Sequence, residues 1–519
     1  KSCGFSFIEH HHYQCQSYLS VVFSDTSTKQ NFTFHSILVL LISTAISMII
    51  FFSLWKKEGA DLLRHIEGAQ LYGGDKALVE VKRNSNKERI EDSSGSTIEL
   101  HPKLHLSEKR LHQNIFILGM PGSGKTLLIS PIINQAAVVR KDKCIIYDEK
   151  KEFTGLFYNP KTTLLLAPFD QRSVQWNISA DVRTLSQAES VAKSMIAVNE
   201  KDPVWGQGTR LIFVGAMLYC IKKHDTQWGW KELYTFISSD EPAMAEALQQ
   251  AYPDAGKLII EGSKTTQSLL INLTTSLSWL KTLSTAWSTS YIGHNTVSLR
   301  TFIRDRTDKN ILIIQNDPEY SAVSEPLINA IVTLATNNLL SLENSQTRKV
   351  WLFVDELGNL TKNPSILKWL SLARSKGGIM VAGTQSLSML HEIFGKNVTD
   401  SISSMVGTLI ALRVSGTGDT ARYISDSFGK RRIERPQAQA NGKISWHPED
   451  LPVVPISAIT DLPQVSKSKG INGFLSIAGW KGVYKLNWAL NIFPQIAEES
   501  IPAGWTKSIE FSPEEINIH

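Results

Sequence analysis

The sequence is poor in cysteine, in net charge and in repeated segments. It has 4 cysteines among 519 residues, which excludes a small protein stabilised by a disulfide network. Its formal net charge is only +5, a balance that permits contact with nucleic acid or anionic lipid but does not argue for it. With 42% hydrophobic residues and no internal repeat or long low-complexity tract, the chain is typical of a globular protein of several domains.

One long uncharged run departs from this globular composition. Residues 37–54 read ILVLLISTAISMIIFFSL, and Trp55 extends the run far enough for a helix to cross a hydrocarbon core of about 30 Å. A signal-peptide core or a buried helix would be the alternatives, but the length and the missing cleavage site favour a membrane helix. Three basic residues follow the run, Lys56, Lys57 and Arg64, whereas little positive charge precedes it. This asymmetry predicts that residues 56–519 are cytoplasmic and residues 1–36 lie outside.

A phosphate-binding loop is the strongest chemical signal in the sequence. The stretch GMPGSGKT matches the pattern G-x-x-x-x-G-K-[ST] and comprises Gly119, Met120, Pro121, Gly122, Ser123, Gly124, Lys125 and Thr126. An apolar strand precedes it and a helix runs on from Lys125. Backbone N–H groups would cradle phosphates, Lys125 would reach the outer phosphates, and the Thr126 hydroxyl would bind Mg²⁺. The sequence therefore predicts ATP and Mg²⁺ as cofactors. We also expect Lys125→Ala to abolish hydrolysis without affecting folding, because we take this lysine to be exposed.

Two acidic residues end a second apolar strand. The stretch VWLFVDE at 350–356 lies far downstream of the loop, so a large segment separates the two motifs. Asp355 would hold Mg²⁺, and Glu356 would orient or deprotonate the attacking water. Gln385 ends the next predicted strand, where its amide would sense the γ-phosphate.

Three further residues are weaker candidates. Arg374 lies in the helix after Glu356. It would serve either as an arginine finger for a neighbouring subunit or as a basic residue that interacts favourably with the dipole at the helix C-terminus. Arg413 is a similar but weaker candidate. Asp148 ends the strand KCIIY, from which it would contact the nucleotide.

The remaining pattern predicts the domain organisation. Strands alternate with helices around the motifs, which indicates an α/β fold with a parallel sheet. Residues 183–295 are helical throughout and predict an inserted all-α domain, whose tryptophans either pack in its core, the favoured reading, or stack on bases. Residues 82–96 are predicted to be an exposed loop or hairpin turn, residues 436–470 loop-rich, and residues 473–489 a hairpin. The predicted segments are 1–36, outside the membrane; 37–55, the membrane helix; 56–182 and 296–490, the nucleotide-binding domain; 183–295, the all-α domain; and 491–519, a C-terminal tail.

The ordered set of motifs resembles the coupling ATPases of conjugation and type IV secretion, the TraD/TrwB/TraG family. The likeness covers roughly residues 60–490 and rests on the membrane helix, GMPGSGKT, IIYDEKKEFTGLFYNP, DPVWGQGTRLIF, VWLFVDELGNL, LARSKGG and VAGTQS. It implies a RecA-like P-loop ATPase core with an all-α domain, assembled as a homo-hexameric ring at the bacterial inner membrane. It also implies DNA-stimulated hydrolysis that delivers a relaxase-bound single strand to the secretion channel, with the relaxosome and channel proteins as partners. In that family the positions matching Asp355, Glu356, Arg374 and Gln385 serve hydrolysis.

Two features depart from that family, and two other functions stay open. The family usually has two membrane helices flanking a periplasmic domain, so we expect residues 1–36 to be the remainder of that part and an earlier segment to be missing. The long acidic tail of many members is also not seen. The alternatives are an ATP-gated docking receptor for secreted proteins and an FtsK/HerA-like translocase of double-stranded DNA. The helical segment argues against the latter.

Overall fold

The computed structural model of the chain describes residues 20, 24, 26–58, 63–92, 97–199, 201–287, 296–304, 307–360, 363–438 and 444–509. The chain divides into two compact units. The smaller unit comprises Lys1–Ile66 and Arg432–Asp450, and the larger comprises Glu67–Arg431 and Leu451–His519. Cys3 and Cys15 lie outside the described residues, whereas Cys144 and Cys220 are buried free thiols.

A mixed sheet organises the larger unit. The strands of the described chain are β1 (Arg64–Gly68), β2 (Gln70–Tyr72), β3 (Thr97–His101), β4 (Leu104–Ser107), β5 (Ile115–Leu118), β6 (Lys143–Asp148), β7 (Thr163–Leu166), β8 (Gln175–Trp176), β9 (Thr296–Val297), β10 (Ile311–Gln315), β11 (Val350–Val354), β12 (Gly378–Thr384), β13 (Thr408–Ala411), β14 (Lys430–Ala438), β15 (Ile444–Pro452), β16 (Ile471–Ile477) and β17 (Gly482–Trp488). The large sheet has the order β2-β17-β16-β13-β5-β12-β11-β6-β10-β7. From β13 to β7 all pairs are parallel, whereas β16 runs antiparallel to both β13 and β17. The predicted α/β fold is confirmed, but the sheet is mixed because the predicted terminal hairpin joins it.

Helices cover both faces of this sheet. In β5, Ile115 and Ile117 belong to the hydrophobic core on one face, and Phe116 and Leu118 to the core on the other. Burial on both faces explains why these strands are continuously apolar rather than alternating. Among the described residues, the α-helices of the larger unit are Gly74–Glu91, Glu108–Leu111, Lys125–Ile133, Glu152–Phe157, Ile178–Asp181, Leu185–Met195, Pro203–His224, Trp230–Ile237, Glu241–Ala251, Pro253–Gly256, Lys264–Ser276, Trp279–Ala286, Leu299–Ile303, Ser321–Leu340, Ser365–Leu372, Leu387–Phe394, Lys396–Ser404, Thr420–Ser427 and Ile456–Thr460.

The helical segment between β8 and β9 shares its core with one face of the sheet. Its apolar side chains form a single cluster with those of helix Ser321–Leu340, against which helix Leu185–Met195 packs. Trp230 lies at the centre of an aromatic group, with ring centroids 5.2 Å from Trp176, 6.3 Å from Trp279 and 6.0 Å from Trp287. These rings are buried, so the packing interpretation of the tryptophans is the one that the structure supports.

A buried carboxylate ties together the two ends of the helical segment. Asp181, at the start of the segment, accepts hydrogen bonds from the Trp176 indole (2.8 Å) and from the Ser298 hydroxyl (2.7 Å). It also accepts from the backbone N–H groups of Leu299 and Arg300, at 2.8 and 2.9 Å. We call this arrangement the Asp181 junction. It joins the outgoing and returning chain next to the β8–β9 pair.

Two segments differ from the sequence prediction. Residues 82–91 of the predicted loop belong to helix Gly74–Glu91, because Ala77, Val81 and Ser85 recur every four residues and are all buried. Residues 436–470, predicted as loop-rich, contain the end of β14, all of β15 and helix Ile456–Thr460. The strands β14 and β15 carry ion pairs such as Arg435–Glu449 (2.9 Å), so their polar sequences lack the apolar alternation on which strand prediction depends.

The smaller unit contains a long apolar helix and the three-stranded sheet β1-β14-β15. The helix spans Thr26–Glu58, and its stretch Lys29–Phe51 is, by length and composition, sufficient to cross a membrane. Helix Pro203–His224 passes the same test, but half of it is buried in the core of the larger unit. The first helix therefore remains the candidate for a membrane span.

Candidate nucleotide-binding site

The GMPGSGKT loop connects β5, near the middle of the ten-stranded sheet, to helix Lys125–Ile133. Its first two N–H groups are held by neighbouring strand ends: Gly119 donates to the Thr384 carbonyl (3.1 Å) and Met120 to the Arg413 carbonyl (2.9 Å). Gly122 and Gly124 have φ angles of 74° and 98°, a left-handed conformation that favours glycine. The loop therefore has the strand–loop–helix setting in which backbone N–H groups bind phosphate.

Lys125 is buried, so the expectation of an exposed lysine is wrong. Its side chain is 8% exposed, and its ammonium donates to the Gly119 carbonyl at 2.6 Å. The Glu356 carboxylate lies 4.0 Å from the ammonium. Burial lowers the pKa of Lys125, and the nearby Glu356 and Asp355 carboxylates partly oppose that shift. The helix that starts at this residue carries the lysine under the loop instead of into solvent.

Thr126 and Asp355 meet next to the loop and form an oxygen-rich site. The Thr126 hydroxyl donates to Oδ2 of Asp355 at 3.0 Å. The other carboxylate oxygen, Oδ1, is buried and has no hydrogen-bond partner among the described residues. An unpartnered carboxylate oxygen beside a hydroxyl fits Mg²⁺, which prefers oxygen ligands and usually shares them with substrate phosphates.

Glu356 is held in a fixed position by one of its two oxygens. Oε1 accepts hydrogen bonds from the Thr384 hydroxyl (2.8 Å) and from the backbone N–H groups of Gln385 (3.2 Å) and Gly358 (3.3 Å). Oε2 is buried and has no hydrogen-bond partner in the described chain. Burial raises the pKa of Glu356, while these donors and Lys125 oppose the shift. A carboxylate with one anchored and one unpartnered oxygen is suited to accept a proton from water.

The other candidates lie at different distances from this site. Gln385 follows β12 and contacts Glu356 through its backbone N–H. Arg374 is exposed in the short helix Ala373–Lys376 and lines a separate cavity of about 890 Å³. Arg413 contributes its backbone carbonyl to the loop. The structure therefore brings Gln385 into contact with Glu356, while the Arg374 side chain lies at another surface of the same chain.

Asp148 is occupied within the protein. Its carboxylate accepts hydrogen bonds from the N–H groups of Phe153 and Thr154 and from the Thr154 hydroxyl, at 3.3, 2.6 and 2.7 Å. Burial raises its pKa to about 6. These bonds cap helix Glu152–Phe157, and a nucleotide contact by Asp148 stays a prediction.

The loop opens into a cavity of about 400 Å³. Met120, Pro121, Gly122, Gly124, Lys125, Thr126 and Asp355 line it. Further lining residues were missed by the sequence analysis: Lys150, Glu152, Gly155, Leu156, and Asn491, Ile492, Phe493, Gln495 and Glu499 of the predicted tail. Lys150 and Glu152 follow β6, and their position after a parallel strand was a signal available in the sequence. No local pattern indicated the tail residues.

Comparison with known proteins agrees with this geometry. Residues 99–447 match the family model of the type IV secretion-system coupling protein DNA-binding domain. Coupling protein TraD of Escherichia coli (strain K12) is 25% identical over 409 residues, which cover 75% of this chain and 54% of TraD. The chain thus spans about half the length of that curated relative.

Solved structures of a second relative have the same fold. The bacterial conjugative coupling protein TrwBdeltaN70, in its unbound monoclinic form, superimposes with a TM-score of 0.71 at 21% identity, covering 85% of this chain and 97% of that one. TrwB in complex with ADP and Mg²⁺ gives a TM-score of 0.69 at 21% identity, covering 86% and 99%. Because the family model matches well over half of the sequence, this chain belongs to the type IV secretion-system coupling protein family.

Proposed function

We propose that this chain is a membrane-anchored ATPase that moves DNA, as a relaxase-bound single strand, towards a type IV secretion channel. The observation that carries the proposal is that Lys125, Thr126 and Asp355 line one cavity, with the Glu356 carboxylate 4.0 Å from the Lys125 ammonium. Two of these residues hold buried carboxylate oxygens without hydrogen-bond partners. Such unpartnered groups are rare in folded proteins and are typical of sites completed by a ligand.

Each residue at the cavity has a defined role in hydrolysis. The loop N–H groups and Lys125 bind the triphosphate, and release of Lys125 from the Gly119 carbonyl frees its ammonium for the outer phosphates. Thr126 and Asp355 would hold Mg²⁺, which when bound neutralises phosphate charge. Glu356 accepts a proton from the attacking water through Oε2, which has no hydrogen-bond partner among the described residues. Gln385, bonded to Glu356 through its backbone, senses the γ-phosphate.

The position of Arg374 supports assembly into a ring. Its exposed side chain lies outside the cavity of its own chain, which fits an arginine finger that reaches the nucleotide of a neighbouring subunit. We therefore propose that the chain forms a homo-oligomer. A hexamer is the state that the resemblance to the family implies. Helix Thr26–Glu58 would anchor the ring in the bacterial inner membrane and leave the larger unit in the cytoplasm.

The DNA partner is supported by the family model, which describes a DNA-binding domain over residues 99–447. ATP hydrolysis by the full chain in detergent, measured with and without single-stranded DNA at low and moderate salt, tests the motor function. We expect a strong stimulation that weakens as salt rises, since phosphate contacts release counterions. Glu356→Gln provides the background, because it should bind nucleotide without turning it over.

Other outcomes of the same assay identify the alternatives. Basal hydrolysis that does not respond to DNA would contradict the motor and favour a docking receptor for secreted proteins. Stimulation by double-stranded DNA alone would favour an FtsK/HerA-like translocase. Absence of hydrolysis in the presence of tight nucleotide binding would refute the assignment of Glu356.

A further inference from the structure

The C-terminal segment Asn491–Ala503, here called the strap, forms one wall of the nucleotide cavity. It leaves the sheet after β17, and five of its residues line the cavity together with the phosphate-binding loop: Asn491, Ile492, Phe493, Gln495 and Glu499. The loop supplies cationic and N–H groups, whereas the strap supplies apolar side chains, two amides and the Glu499 carboxylate. The two walls of the cavity therefore differ in chemistry.

The second half of the strap is firmly attached to the segment 155–172. Ile496 and Ala497 both donate their N–H groups to the Gly155 carbonyl, at 2.9 and 3.1 Å. Further hydrogen bonds follow along the chain. The Arg172 guanidinium donates to the Glu498 carbonyl (2.7 Å), and the Ile501 N–H donates to the Asp170 carboxylate (2.9 Å). The N–H groups of Gln171 and Ala503 donate to the carbonyls of Ile501 and Phe169, both at 2.8 Å. This half is consequently fixed with respect to the cavity.

A buried polar chain connects the strap to the end of β6. The Gln315 amide donates to the Glu499 carbonyl and to the Thr154 hydroxyl, both at 2.9 Å. That hydroxyl in turn donates to the Asp148 carboxylate. Through this chain of hydrogen bonds, Asp148 helps to position the strap.

The first half of the strap is exposed and has few partners. Within the described ranges, the backbone of residues 491–495 makes no hydrogen bond. Ile492 is 69% exposed although it is apolar and lies at a cavity. Phe493 is half-buried, with its ring 6.0 Å from that of Phe157. An apolar surface of this kind beside a phosphate site would be covered by the non-phosphate part of a nucleotide.

We infer that the strap binds the base and ribose of the nucleotide whose phosphates the loop holds. This inference rests on the proposed function, because it requires ATP at the loop. A purine has an apolar face and a polar edge, and it would contact Leu156, Ile492 and Phe493 with the face. The exposed amides of Asn491 and Gln495 are suited to hydrogen-bond the edge or the ribose.

Hydrogen exchange of the full chain in detergent separates the two walls. The probes are ADP and inorganic tripolyphosphate, each with Mg²⁺, and the peptides are 117–130 of the loop and 489–500 of the strap. We expect both probes to slow exchange in the loop, and only ADP to slow exchange in the strap by several-fold. Loop protection by both probes without strap protection by ADP would overturn the inference and leave the proposed function intact. Equal strap protection by both probes would also overturn it, and an unprotected loop would refute the proposed function itself.

Two strap variants test the same inference through affinity. Phe493→Ala should weaken ADP binding roughly tenfold, the size of effect expected when a base loses an aromatic contact, and leave tripolyphosphate binding unchanged. Ile492→Ala should weaken ADP binding by roughly threefold, without risk to folding because the side chain is exposed. Ile271→Ala is the matched control, since Ile271 is 68% exposed in the helical segment and lines no part of this cavity. Equal loss of both ligands, or no loss of ADP affinity in either strap variant, would contradict the inference.

Discussion

Replacement of Lys125 by alanine should destabilise the protein as well as abolish hydrolysis. The ammonium and Oε2 of Glu356 are 4.0 Å apart, and both side chains are almost fully buried. At that distance and an effective dielectric constant of about 20 the attraction is on the order of 4 kcal/mol. Removal of one partner from a buried ion pair costs about 3–5 kcal/mol, because the remaining charge is left uncompensated. We expect a loss near 3 kcal/mol, since Glu356 can take up a proton to relieve part of it.

The loss should depend on pH in a defined direction. Burial already raises the pKa of Glu356 in the folded protein above its unfolded value. The native protein therefore becomes less stable as pH rises from the unfolded pKa to the folded pKa. Without Lys125 the folded pKa rises further, and the destabilised interval extends to higher pH. The difference in stability between the variant and the natural protein should therefore be large at pH 8 and small at pH 5.

Thermal unfolding of the full chain in detergent measures this difference, and a double variant tests its cause. We expect Lys125→Ala to lower Tm by roughly 5 °C at pH 8. Lys125→Ala combined with Glu356→Gln should recover most of that loss, because no buried charge remains without a partner. An unchanged Tm for the single variant, or a double variant no more stable than the single one, would refute the reasoning. All of these variants should lack hydrolysis.

Three further predictions concern other residues of the site. Thr126→Val should raise the Mg²⁺ concentration needed for hydrolysis by roughly 10–100-fold, while ADP binding without Mg²⁺ stays unchanged. An unaltered Mg²⁺ titration would exclude Mg²⁺ binding by the Thr126 hydroxyl. Arg374→Ala should leave Tm and ATP affinity unchanged and lower turnover of the assembled form by roughly 1000-fold, whereas an equal loss in monomer and assembly would contradict a finger acting between subunits. Asp148→Asn should remove a decline in stability between about pH 4 and 6, since burial raises the pKa of Asp148 to about 6 and the folded protein then holds a proton that the unfolded chain releases. Parallel Tm curves for that variant and the natural protein across this interval would show that Asp148 does not titrate as described.

The parts of the fold that follow from short sequence patterns could be predicted. The loop and the acids after β11 depend on a few adjacent residues, and the structure brings Lys125, Thr126, Asp355 and Glu356 together although the loop and the acids are far apart in sequence. Their meeting follows from parallel strands, whose carboxyl ends share one edge. The apolar strands were also predictable from a local pattern, because burial on both faces of the sheet requires a continuous hydrophobic run.

Long-range contacts account for what the sequence analysis missed. The strap carries no motif, and its place at the cavity is set by bonds such as those from Ile496 and Ala497 to Gly155, which no local pattern encodes. The burial of Lys125 depends on Glu356, a residue from another strand. The strands β14 and β15 are stabilised by pairing and by ion pairs such as Arg435–Glu449, so their composition looks like that of a loop.

The Asp181 junction would have a mechanical consequence in the proposed DNA motor. More than a hundred residues separate the two sides of the junction, yet they are bonded to the same carboxylate. A force applied to the helices would therefore be borne at the junction and by the shared core with helix Ser321–Leu340. A load on the helices would in this way reach the sheet through the side chains packed on one of its faces. This attachment would allow the helices to carry a load while the distance between the Lys125 ammonium and the Glu356 carboxylate stays the same.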